Sequence, residues 1–202
     1  IRASTRCTPY GIYASTGIAT PGSHGVNQKR EMERKVRIDM GLLQNIKSQI
    51  ESDPGIYPYL LYSINNSLYN IPGQYRFTET IIENGKCHYQ LSALQHTIIL
   101  EQIVVLAGNR MISPDDIYEL TEEDTSYEEF NDFIKELITS QFLVSELQLG
   151  LTTGNELGRF AEVLNRLKEK VIGSAKKYLD LFFSIENILI QFKKLPIGVL
   201  PL

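Results

Sequence analysis

Two alternating runs face each other across a single dipeptide in YRFTETIIENGKCHYQLSAL, residues 75–94, and few backbones satisfy that pattern. Asn and Gly both tolerate positive φ, so Asn84-Gly85 suits the two central positions of a type I′ turn, whose twist matches the antiparallel strands on either side. A hairpin is therefore predicted, and it organises the reading of its surroundings.

Helix signals follow it. HTIILEQIVVLAGN is predicted as a helix closed by Gly108. SPDDIYELT follows as a short helix, with Ser113 as N-cap, Pro114 at the first helical position and acids in the first turn. SYEEFNDFIKELITSQF opens with a capping box, Ser126 with Glu129, and has Phe130, Phe133, Ile134 and Leu137 on its apolar side. FLVSEL then alternates as a strand. A hairpin, three short helices and a strand, residues 74–148, form a unit compatible with a winged helix-turn-helix.

Ahead of the hairpin, residues 1–35 are rich in Gly, Ser, Thr and Pro and read as short strands and turns. RKVRI, residues 34–38, alternates and is predicted as a strand. Asp39 then precedes a helix in which Leu42, Leu43, Ile46 and Ile50 share a face, ended by Asp53-Pro54-Gly55. Further strands are predicted near 67–71 and 75–82. Beyond Gly150, Thr153 and Glu156 suggest a capping box for one helix, and Gly173-Ser174 a break before a last one. That last helix carries an apolar stripe of Tyr178, Leu179, Phe182, Ile185, Leu189 and Phe192. The expected fold class is α+β: a small mixed sheet region with a winged helix-turn-helix-like unit, followed by a helical C-terminal segment. The expected divisions are 1–73, 74–148 and 149–202.

Charge matters once it is divided. The chain has 202 residues and a net charge of −4. Residues 1–40 hold seven basic and three acidic side chains, so the rest is strongly acidic. A local basic region on an acidic protein suits positioned contacts to one part of a nucleic acid, whereas a generic binder shows a broad basic face. The run KREMERK is equally well read as a solvated loop or strand edge. Residues 115–136 are so acidic that a DNA-recognition helix is disfavoured there. No apolar run reaches the roughly 18 residues of a spanning helix. Cys7 and Cys87 lack zinc or disulfide-framework spacing, and His24, His88 and His96 lack metal spacing. A reduced, cytoplasmic protein without a metal is expected. Ile1 at the start and the apolar ending KKLPIGVLPL suggest an excerpt of a longer polypeptide.

Chemistry-bearing residues gather at the start, in IRASTRCTPYGIYAS. Arg2 and Arg6 are four apart, and two guanidinium forks converging on one point can hold phosphate or carboxylate oxygens. Thr8 adds a hydroxyl, while Pro9 and Gly11 set the chain direction beside it. Taken on spacing alone, the same arginines are better read as structural, bridging loops or salt-bridged to Glu or Asp. Asp39 has a plain role as N-cap, worth roughly 1 kcal/mol.

RASTRCTPYGIYASTGIA resembles the R-x-S-x-R-x-T-P-F-G-L-F-A-G segment of the class I lanthipeptide (lantibiotic) dehydratase family, in its N-terminal glutamylation domain. The resemblance continues in order through RKVRIDMGLLQNI, YSINNSLYNIPGQYRFTE, HYQLSALQHTIILEQIV and SQFLVSELQLGLTTG. Departures are Tyr10 for Phe, Ile12 for Leu, Tyr13 for Phe or Trp, and Ser15-Thr16 before Gly17.

The resemblance implies transfer of glutamate from glutamyl-tRNA to Ser or Thr of a precursor peptide, with elimination to dehydroamino acids in a second domain. It places Arg2, Arg6 and Thr8 among the residues serving the tRNA end and glutamylation, and Asp39 on the family's implicated aspartate. It further implies that the 74–148 unit recognises a leader peptide, which adds a strand near 75–90. No cofactor is implied beyond glutamyl-tRNA as co-substrate. A homodimer or a partner elimination domain are further expected partners. Two other readings stay open: a peptide aminoacyl-tRNA ligase-like enzyme, and a catalytically inert leader-binding module.

Overall fold

The computed structural model describes residues 36–83, 86–121, 125–150 and 155–196. The chain divides into two compact units, one of residues Ile1–Ile38 with Ser184–Leu202 and one of Asp39–Phe183. Within the first, Val36–Ile38 has no regular structure, so the predicted strand at RKVRI does not form over its described part. Residues 184–194 of that unit are helical.

Helix α1, Met40–Ser52, begins because Asp39 accepts from the backbone N–H groups of Gly41 (2.8 Å) and Leu42 (3.2 Å), satisfying donors that have no partner within the helix. Leu43, Ile46 and Ile50 are buried at the expected spacing, but Leu42 lies on the edge of the stripe and is half exposed. The helix stops at Asp53, whose carboxylate takes the N–H of Gly55 at 2.9 Å. A Cβ on Gly55 would lie 2.8 Å from the Ser174 hydroxyl, so a larger residue there requires the Ser174 side chain to turn away.

A single turn at Tyr57–Tyr59 leads into β1, Tyr62–Ile64, a strand the sequence pattern did not disclose. β2 (Tyr69–Ile71), β3 (Gln74–Glu83) and β4 (Lys86–Gln95) form one antiparallel sheet in that order. The register of the long hairpin closes on Glu83 opposite Lys86, as the position of Asn84-Gly85 requires. Tyr75 and Phe77 point into the core from β3, while Leu91 and Ala93, on the other face of β4, are exposed.

Three helices follow: α2 (Ile98–Ala107), α3 (Pro114–Tyr118) and α4 (Tyr127–Thr139). Thr97 caps the first, and full capping boxes at Ser113/Asp116 and Ser126/Glu129 start the others. Asp116 also binds Arg110 at 2.6 Å. The guanidinium and the Ser113 backbone hold its carboxyl well below the usual carboxylate range.

β5, Leu143–Ser145, is the strand expected in FLVSEL, but it pairs with β1 rather than with the hairpin. The expected mixed sheet is thus two small antiparallel sheets, β1-β5 and β2-β3-β4. Phe142 joins them: its buried ring sits edge-on to Tyr75 (6.1 Å) and Phe77 (5.8 Å).

The last two helices start differently from expectation. α5, Glu156–Leu167, is capped by Asn155, whose side chain accepts from Gly158 N at 3.2 Å. Glu156 is then the first helical residue and cannot serve a box with Thr153, which lies outside the described residues; its buried carboxylate pairs with Arg159 at 2.6 Å instead. Helical structure is interrupted over Lys168–Val171, and Gly173 and Ser174 fall inside the first turn of α6, Ile172–Lys194. Tyr178 and Phe182 are buried, and Phe182 meets Phe160 of α5 at 6.2 Å. None of the described helices is long and apolar enough to cross a membrane.

Candidate functional site

Of the four residues singled out in the sequence, Arg2, Arg6 and Thr8 lie outside the described residues. Asp39 is described, exposed at the N-terminus of α1, and both of its backbone hydrogen bonds fall on Oδ1. The capping role is real geometry.

What holds α1 in place is a buried polar chain. Lys47 Nζ lies 2.8 Å from Glu51 Oε2, and Glu51 Oε1 accepts the Ser145 hydroxyl at 2.6 Å. Ser145 Oγ in turn accepts from Leu147 N at 3.1 Å. Next to it, the β1 residue Tyr62 donates to Tyr57 O at 2.9 Å, and burial, with the Glu51 charge second, pushes its phenol far above the ordinary tyrosine range. The helix bearing Asp39 is therefore fastened to the β1-β5 pair by hydrogen bonds as well as by apolar contact.

The second region is the sheet β2-β3-β4. β2 pairs with β3 only over Gln74–Arg76, and among the described residues the rest of that β3 edge has no strand partner. Side chains take the strand's place. Thr78 N donates to Ser67 Oγ (2.9 Å), and Thr78 O accepts from Asn65 Nδ2 (3.0 Å). Thr80 N donates to Gln141 Oε1 (2.9 Å), and Thr80 O accepts from Gln141 Nε2 (2.8 Å). Asn65 ties the set together by also donating to Gln141 O at 2.9 Å and accepting from the Ser67 hydroxyl at 2.6 Å.

Backbone groups alternate in direction along a strand. Since the even residues of β3 face this edge, its odd residues face β4, and the outward-facing backbone groups of β4 belong to its odd residues, Leu91 and Ala93 among them. Sequence reasoning missed Asn65, Ser67 and Gln141. Their signal is the polar run NNS inside an otherwise Tyr- and Ile-rich stretch, and a glutamine directly after a helix.

Comparison with known proteins gives these features a setting. No curated protein matches the sequence. The fold resembles the crystal structure of the tRNA dependent lantibiotic dehydratase MibB from Microbispora sp. 107891, with a TM-score of 0.60 at 11% identity. The similarity covers 79% of this chain and 16% of that one, so this chain spans a small part of the length of the solved enzyme. At such identity the likeness is one of fold. Residues 1–197 match the family described as Lantibiotic dehydratase, N terminus, a span that takes in the arginine segment, α1, both sheets and the helices; the chain belongs to that family.

Proposed function

We propose that this chain is part of a lantibiotic dehydratase that glutamylates Ser and Thr of a ribosomal precursor peptide using glutamyl-tRNA, ahead of elimination to dehydroamino acids. The family match over residues 1–197 carries this reading, and the tRNA dependence in the description of the similar enzyme supports it. In the transfer, a peptide hydroxyl oxygen attacks the carbonyl of the glutamyl ester. The bond from that carbonyl to the tRNA ribose oxygen breaks, and the hydroxyl proton leaves with the ribose. The ester is already activated, so the protein has to align the partners and stabilise developing negative charge.

Arg2 and Arg6 fill that need by gripping terminal phosphates or the glutamyl carboxylate, with Thr8 beside them. Asp39, held at the start of α1, orients a partner group. Residues 1–73 and 149–202 belong to this glutamylation part, and 74–148 is the leader-recognition element. The leader adds as a strand near 75–90, on the β4 side, where the backbone of Leu91 and Ala93 faces outward. An elimination domain or a second copy completes the assembly, in the cytoplasm where glutamyl-tRNA is available.

The test is the full-length protein co-expressed with its precursor and read by mass spectrometry. Arg6→Ala is expected to fold normally and to yield neither glutamylated nor dehydrated peptide. Undiminished modification by that variant would overturn the assignment.

A further inference from the structure

Gln141 stands where helix chemistry asks for glycine. It follows Ser140, the C-cap of α4, with φ of 60°. A helix end commonly passes through this left-handed conformation, and Gly or, less often, Asn fills it because a Cβ is crowded there. Among the described residues no other non-glycine residue has a positive φ.

The side chain explains the exception. Its amide presents one acceptor and one donor to the N–H and C=O of Thr80, as the peptide group of a neighbouring strand does. Asn would tolerate the same backbone but is one methylene shorter. Beside this contact runs a groove of about 530 Å³ between β3 and the end of α4, lined by Glu79, Ile81, Lys135, Glu136, Thr139 and Gln141. An unpaired strand edge next to an open groove is a place where an extended peptide adds.

We infer that Gln141 is a specificity residue: its amide occupies the β3 edge as a surrogate strand, closes the β3–α4 groove to extended peptides and leaves β4 as the edge that a peptide strand can extend. This rests on the strand-addition reading above. Among the described residues, Asn65 and Ser67 hold the adjoining position at Thr78 and Gln141 holds Thr80.

The experiment uses the 202-residue chain, the variants Gln141→Gly and Gln141→Asn, and an eight-residue capped peptide of alternating Thr and Val as probe. Both substitutions suit a left-handed backbone and remove the amide from Thr80. Amide exchange and backbone chemical shifts are followed by NMR. In both variants the Thr80 amide is expected to exchange at least about tenfold faster while the core amide of Phe77 stays protected, as expected of a local opening. The probe is expected to perturb Thr80 and Ile82 in the variants and to leave them untouched in the wild type. A wild type already perturbed at Thr80, or variants in which the probe leaves Thr80 unmoved, would overturn the inference. A wild type unperturbed at Leu91 and Ala93 counts against strand addition at β4, and the Thr80 result then decides Gln141 by itself.

Discussion

The carboxylate of Glu51 accepts the hydroxyl of Ser145 at 2.6 Å, joining residues 94 positions apart, while its other oxygen pairs with Lys47 one turn back on the same helix. A buried pair of this kind costs desolvation on both sides and is far more costly to break than to omit. Glu51→Ala leaves the Lys47 ammonium buried without its carboxylate, and we expect a loss of about 3 kcal/mol in urea unfolding. The double variant Lys47→Met with Glu51→Leu is expected to recover most of it. A double variant as unstable as the single one would mean that the pair adds net stability.

Asp39 separates a structural from a chemical role through the choice of substitute. Asn caps a helix about as well as Asp, whereas Ala costs about 1 kcal/mol. Asp39→Asn is expected to keep the thermal midpoint of the wild type and, in the full-length protein, to lose most of the glutamylation rate. Full activity in Asp39→Asn would confine the residue to its helix.

The Arg110–Asp116 pair sets a pH dependence whose sign is fixed by its direction. The carboxyl of Asp116 titrates lower in the folded chain than in the unfolded one, because Arg110 and the Ser113 N–H favour its charged form. Its contribution is therefore present above the ordinary Asp value of about 4 and is lost as pH falls below it. Urea midpoints measured from pH 7 to pH 3 are expected to fall less steeply in Asp116→Asn than in the wild type. Parallel curves would exclude this carboxyl as a source.

Phe142 is fully buried between Tyr75 and Phe77 at the junction of the two sheets. Phe142→Ala leaves a cavity that rigid strands on both sides cannot close, and a loss of about 3–5 kcal/mol in unfolding free energy is expected. A loss under about 1 kcal/mol would show that the junction collapses around the gap.

What the sequence disclosed was local. Asn84-Gly85, Ser113 with Pro114, and Ser126 with Glu129 each act within four residues, and the hairpin and helices stand where those signals put them. β1 is three residues long, too short for alternation to register, and its pairing with β5, the strand that alternation did show, depends on residues far apart in sequence. α5 starts at Asn155, whose side chain reaches Gly158 N, so Glu156 is its first residue and not the third that a box with Thr153 needs. For the site, Asp39 stood out beforehand, while the closure of the β3 edge did not: Asn65, Ser67 and Gln141 look like loop residues until the strand they serve is in view.

The β1-β5 pairing also orders events during synthesis. Ser63 and Val144 are 81 positions apart, so β1 leaves the ribosome long before its partner exists, whereas the hairpin that follows it can close on its own. Until residue 145 has emerged, Tyr62 and its neighbours hold exposed apolar surface with no strand to cover it. Nascent chains stalled before that point are expected to engage a ribosome-associated chaperone, and those stalled well after it to release it.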